Sequence, residues 1–209
     1  KKLSSKEILD LVKNNSNIKF DESVDVSLRI NLKQTKGGDF SLRTTVNLPN
    51  GSGKKEKIAV LCEQDKIDVA KKSGADIVGS DDLIEKIAAG KFNFTKLICT
   101  PAMMGKIGKH GKVLGPKGLM PNPKTGTVTN DVKGTIDNIN KGLVAYKNDK
   151  AGTIHAALGK ISFDENHLSE NISSFVDEIK KIKPSGVKGN FINSVFISST
   201  MGFGLKVEV

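Results

Sequence analysis

The chain has 209 residues and sets 33 Lys and Arg against 23 Asp and Glu, for a formal net charge of +10. An excess of that size points to a polyanionic partner, either nucleic acid or an acidic membrane surface. No apolar run approaches the roughly 18 residues of a membrane span, and two cysteines (Cys62 and Cys99) do not make a disulfide framework. With no Trp, one Tyr and nine Phe, folded RNA is a better expected target than stacked single strands. The opening Lys1-Lys2-Leu3 carries no signal-peptide apolar core and no initiator Met, which leaves room for residues upstream, and the two cysteines fit a reducing cytoplasm.

Ser4 with Glu7 three positions on reads as a capping box. It opens a helix whose apolar face is Ile8, Leu9, Leu11 and Val12 and which ends at Asn14-Asn15. Val24, Val26, Leu28, Ile30 and Leu32 then alternate with other residues, as in a strand with one buried face. Gly37-Gly38 turns the chain, and Leu42, Thr44, Val46 and Leu48 alternate back. The two runs are expected to pair as a hairpin, closed by Pro49-Asn50-Gly51.

After Gly53 the pattern changes. Residues 58–62 (IAVLC), 75–78 (ADIV) and 97–100 (LICT) are short apolar runs, as expected of strands covered on both faces. Helical stretches at 65–72 and 81–89 separate them, the second stopped by Gly90. Strand, helix, strand, helix, strand reads as a small parallel α/β unit. A basic stretch follows its third strand, then a helix at 131–141. From Leu143 alternation resumes: Val144 and Tyr146 lead into a turn at 148–152, and Ile154, Ala156 and Leu158 lead out. Leu168, Ile172, Phe175, Val176, Ile179 and Ile182 mark an amphipathic helix, broken by Pro184-Ser185-Gly186. Two strands, 195–199 and 205–209, close the chain. The flanks share one pattern and the middle has another, which suggests a discontinuous domain (1–50 with 143–209) interrupted by an insertion at 51–142.

The basic stretch runs from Thr100 to Thr129 and holds six Gly, four of the six Pro and five Lys, with no acid. Such a run reads as a shaped, exposed loop system with room for one short helix. It is not a Walker loop: the fifth residue after Gly105 is His110, after Gly111 it is Pro116, and after Gly118 it is Pro123. Met103 and Met104 read as core filler.

Within it, Gly115-Pro116, then Gly118-Leu119-Met120-Pro121-Asn122-Pro123-Lys124, then Gly126-Thr127-Val128, closely resemble the signature of the bacterial ribosomal protein L-one family. These are RNA-binding proteins of the mobile stalk on the large ribosomal subunit. The resemblance spans essentially the whole chain. It implies an α/β fold in two domains: a split domain with an antiparallel sheet plus helices, and an inserted Rossmann-like parallel domain. The implied role is not enzymatic and uses no cofactor. The implied partners are large-subunit rRNA, exit-site tRNA, the protein's own operon mRNA and other ribosomal components, with no membrane.

Site residues carry over by position. Ser199, Thr200, Met201 and Gly202 resemble the family's principal RNA-contacting segment; by composition alone a tight turn fits this run equally well. Lys19, Phe20, Asp21 and Glu22 resemble a second segment, with the Phe ring supporting the RNA-facing surface. Lys147, Asn148, Asp149, Lys150, Gly152, Thr153 and His155 match a third. Lys106, Lys109, His110, Lys112, Lys117 and Lys124 are expected to form a secondary RNA or tRNA contact. One departure is Phe203, where the family usually has Pro or a small residue. His110, His155 and His167 lack the spacing of a metal site. The rival readings are a Rossmann-like nucleotide-binding enzyme, which no acid–base or nucleophile constellation supports, and a general basic chaperone or membrane-surface protein, which no basic amphipathic helix supports.

Overall fold

The structure is a computed structural model that describes residues 5–14, 18–31, 42–90, 92–183 and 190–207. In chain order the elements are α1 (Ser5–Asn14), β1 (Ser23–Ile30), β2 (Arg43–Asn47), β3 (Ile58–Leu61), α2 (Ile67–Lys72), β4 (Ile77–Gly79), α3 (Asp81–Ala88) and β5 (Lys96–Cys99). They continue with α4 (Pro101–Gly108), α5 (Gly111–Leu114), α6 (Val132–Asn140), β6 (Leu143–Lys147), β7 (Thr153–Lys160), α7 (Glu165–Lys181), β8 (Ile192–Ser199) and β9 (Leu205–Val207). They gather into two compact units, one drawn from Lys1–Lys54 with Lys141–Val209 and the other from Lys55–Asn140.

The split unit is built on a four-stranded antiparallel sheet in the order β7-β1-β8-β9, with β2 and β6 paired in a separate ladder. The expected hairpin between the first two alternating runs does not form. β1 lies between β7 and β8, while β2 takes β6 as its partner. Alternation specifies a buried face but not a neighbour, and β7 and β8 offer β1 two partners of its own length and pattern. Leu32 and the Gly37-Gly38 turn lie outside the described residues.

One face of this sheet is dry. Val24, Val26, Leu28 and Ile30 of β1 meet Ile154 and Leu158 of β7 and Val195 and Ile197 of β8. Over them lie Leu9 and Val12 of α1 and the stripe Leu168, Ile172, Phe175, Val176 and Ile179 of α7. Each such side chain contributes about 1.5–3 kcal/mol through burial. Phe175 is fully buried and meets Tyr146 edge-on, with ring centroids 5.3 Å apart. Leu11, expected on the apolar face of α1, is 38% exposed. The Ser4 cap, the Asn15 stop and the Pro184-Ser185-Gly186 break lie outside the described residues. Asp164 caps α7 by accepting from the Glu165 N–H at 2.8 Å.

Within the apolar stripe of α7 sits one fully buried polar side chain, Asn171. Its Nδ2 donates to the carbonyls of Leu158 (2.8 Å) and Gly51 (3.0 Å), and its Oδ1 accepts from the Asn50 N–H at 3.1 Å. It thereby fixes the point where the chain leaves the split unit. The return crossing lies beside it: the Leu48 N–H donates to the Gly142 carbonyl at 3.2 Å. Gly142 has φ 103°, and a Cβ there would fall 2.6 Å from Gly51 Cα, so only glycine fits.

The contiguous unit is a parallel sheet in the order β4-β3-β5. Alternate residues of β3 and β5 face opposite ways. Ala59, Leu61, Leu97 and Cys99 pack with Leu83, Ile87, Met103, Ile107 and Leu114 from α3, α4 and α5. Ile58, Val60 and Ile98 pack with Ala70 of α2 and Val132, Ile136 and Ile139 of α6. The basic stretch is more helical than its Gly and Pro content implies. Pro101 occupies the first turn of α4, where its missing N–H costs nothing, and Met103 and Ile107 bury one face. That burial outweighs the roughly 1 kcal/mol that each interior Gly costs. The stretch then returns to the sheet, with Thr127 and Thr129 flanking Cys99 in a short parallel bridge.

Candidate nucleic-acid interface

Two of the three expected contact segments meet at one end of β1. The loop between β8 and β9 folds back over the start of that strand. The Ser23 N–H donates to Thr200 Oγ1 at 3.0 Å, and the Thr200 hydroxyl faces the Ser23 carbonyl at 3.4 Å. The Met201 N–H donates to Glu22 Oε1 at 3.1 Å. Backbone is thus held by side chain on both sides of the loop tip, and the Met201 side chain is left 71% exposed. A Cβ on Gly202 would crowd Oγ of the buried Ser199 and force that hydroxyl to turn away. Phe203 lies between β8 and β9, which pair in register from Val195–Val207 to Ile197–Leu205, and it is 51% exposed.

The acids of the neighbouring segment hold the loop and the adjacent turn in place. Glu22 is buried to 1% exposure, its Oε1 committed to the loop and its Oε2 enclosed without a partner. Asp21 accepts from the Ser162 N–H at 3.1 Å and from its hydroxyl at 2.9 Å, pinning the segment to the turn after β7. Lys19 and Phe20 are left outward, with Phe20 54% exposed. The sequence did not single out Ser23 or Ser162, because a serine that receives a backbone or carboxylate bond looks like any solvated serine.

The third segment lies at the opposite end of β1. Ser23 pairs with Lys160, whereas Arg29 pairs with Thr153, and the Ile30 N–H donates to the Gly152 carbonyl at 2.8 Å. Six residues of strand separate the two clusters by about 20 Å. Here too the acid is structural: Asp149 Oδ1 accepts from the Thr153 N–H at 2.7 Å and closes the turn, with Gly152 at φ 81°. Asn148 Oδ1 accepts from the Leu42 N–H. Lys147 and Lys150 stay exposed. His155 lies between the clusters, its Nδ1 3.0 Å from the Ser27 hydroxyl.

In the contiguous unit, Lys106 pairs with Asp81 at 2.7 Å, an exposed contact worth little. The Lys117 ammonium sits 3.9 Å above the centre of the Phe92 ring. Lys109, Lys112 and Lys124 are exposed, and His110 is half-buried before α5. Asn122 organises the next turn: its Oδ1 accepts from the Lys124 N–H, and its own N–H donates to Thr127 Oγ1. Cys62 and Cys99 are free and buried; burial pushes the Cys99 thiol up to about 11, which makes it a poor nucleophile.

Residues 11–203 match the ribosomal protein L1p/L10e family. A relative from Pelagibacter ubique (strain HTCC1062), large ribosomal subunit protein uL1, is 51% identical over 203 residues, covering 97% of this chain and 88% of its own length. The match runs through both units and takes in the basic stretch and the Thr200–Met201 loop alike; the chain belongs to the ribosomal protein L1 family.

Proposed function

We propose that this protein binds the stalk segment of large-subunit rRNA through the split unit, assists release of exit-site tRNA, and in excess over rRNA represses translation of its own operon mRNA. It acts without catalysis, on the ribosome in the cytoplasm. The observation that carries the reading is the loop at Thr200–Met201. An exposed thioether there stands on a backbone locked by Glu22 and Ser23, a construction the core does not need and a ligand surface does. Lys19, Lys147 and Lys150 supply charge for phosphates, and the short hydroxyls suit ribose 2′-OH groups. Lys106, Lys109, His110, Lys112, Lys117 and Lys124 form a secondary basic surface for rRNA or tRNA.

Filter-binding titration against the Pelagibacter ubique stalk rRNA segment tests it. Affinity should exceed that for a plain duplex of equal length at every salt concentration. Each neutralised phosphate should add about −0.7 to −0.9 to the log–log salt slope. Equal affinity for the two RNAs would remove the proposal.

The split unit is proposed to be the RNA-binding domain (1–50 with 143–209) and the middle (51–142) a separate inserted domain. Joining Pro49 to Leu143 through a short Gly/Ser linker is expected to leave a folded protein that binds the stalk RNA. The excised middle is expected to fold alone and bind far more weakly. A joined protein without cooperative melting would count against the division.

A further inference from the structure

The two clusters of candidate contacts stand at opposite ends of one sheet face, and among the described residues that face is open. Both helices of the split unit pack with the residues of the other face. Across the middle of the open face runs a row set by strand register: His155 on β7 beside Ser27 on β1, Ser27 beside Phe196 on β8, Phe196 beside Lys206 on β9. Phe196 is 40% exposed. Its same-face neighbours along β8 are Ser194 and Ser198, so three serines and a lysine border the ring, with Arg29 diagonal to it. Among the described residues the large exposed aromatic rings are Phe20, Phe196 and Phe203, all in the split unit. Single exposed apolar residues need no explanation. Here Phe20 precedes β1, Phe203 follows β8, and Phe196 lies on the face that those strands share.

We propose that this open face is itself part of the RNA-binding surface, with Phe196 as a platform on which one unpaired base of the folded RNA stacks. The inference rests on the RNA-binding reading above. An RNA that reaches both clusters must cross the roughly 20 Å between them, and so must pass over this row. The occupant follows from the chemistry. An aromatic face takes a base face of any sequence, and the Ser27 hydroxyl and His155 ring lie one and two strands away, within reach of a base edge or a ribose. Arg29 and Lys206 supply charge for the flanking phosphates. Among the described residues Asp25 is the acid on this face; burial raises its pKa, and Lys160 and His155 offset part of that rise. It stands beside Ser198 rather than beside the ring.

The absence of Trp from the chain gives a direct readout. In Phe196→Trp the new indole is the sole Trp, and stacking on a base should quench its fluorescence. Titration with the Pelagibacter ubique stalk rRNA segment is expected to quench it with the same midpoint as filter binding. Phe196→Ala should weaken binding about tenfold, Phe196→Leu about as much, and Phe196→Tyr little, since a stacked base is worth on the order of 1–3 kcal/mol. Melting curves should barely differ among them, the ring being on the surface. Binding of the RNA with no change in Trp emission, or Phe196→Leu binding as tightly as wild type, would overturn the stacking site and leave the RNA-binding reading standing. Failure of the wild-type protein to prefer the stalk RNA would overturn both.

Discussion

Replacing Thr200 and Met201 together by alanine is expected to weaken stalk RNA binding about a hundredfold or more while leaving the fold almost as stable as before. The Met201 side chain is 71% exposed in the free protein and contributes nothing to the core. Under the proposed reading its value appears only when RNA covers it. Thr200 acts differently from what its position in an exposed loop implies, because its hydroxyl is already bound to the Ser23 backbone. Thr200→Ser should therefore keep most of the affinity, and Thr200→Val, with the same shape and no hydroxyl, should lose about as much as Thr200→Ala. Lys106→Ala and Lys117→Ala, in the contiguous unit, should cost little on the isolated stalk RNA. Calorimetric titration of each variant, paired with a melting curve, decides the matter. If the two Lys variants lose more affinity than the loop variants, the principal contact lies in the other unit.

The largest expected loss of stability comes from Asn171. Asn171→Ala strands two carbonyls and one N–H, of Leu158, Gly51 and Asn50, and should cost about 3–5 kcal/mol. Asn171→Leu separates hydrogen bonding from packing: it refills the volume and restores none of the bonds, so it should stay at least about 2 kcal/mol below wild type. Urea unfolding followed by circular dichroism measures both. A leucine variant as stable as wild type would mean that the three bonds contribute nothing net. The excised middle segment, which lacks Asn171, serves as the reference for the part of the transition that should not move.

Strand positions and the parallel middle unit were legible because burial imposes period: Val24 to Ile30, Ile154 to Leu158 and the stripe on α7 all show it. Partnership was not legible. The β1 and β2 runs look like a hairpin because they are adjacent and both alternate, yet the pairing energy lies in neighbours far along the chain. Asn171 did leave a trace, a polar residue three positions after Leu168 and four before Phe175, on the buried stripe. Thr200 and Met201 were singled out only through resemblance to a family, and the hydrogen bonds that Glu22 and Asp21 make were not foreseen. A carboxylate that holds a backbone amide and one that faces solvent are the same letter. The helices in the basic stretch were hidden by Gly and Pro, whose local cost is outweighed by the burial of Met103, Ile107 and Leu114.

The pairing of β1 with β7 and β8 has a consequence for how the chain is made. Roughly 120 residues separate Ile30 from Thr153, so a ribosome adding about 5–20 residues per second delivers β7 some 6 to 25 seconds after β1. During that interval β1 waits with one apolar face uncovered. Everything between Lys55 and Asn140 emerges meanwhile, and its strands need only one another. The guest is therefore complete before its host. Only when β8 arrives does β1 gain its second neighbour, and only then does Thr200 reach Ser23 and Met201 reach Glu22. A nascent chain that has not yet reached Met201 thus lacks the two loop contacts, and the surface proposed above for RNA is among the last parts of the split unit to form.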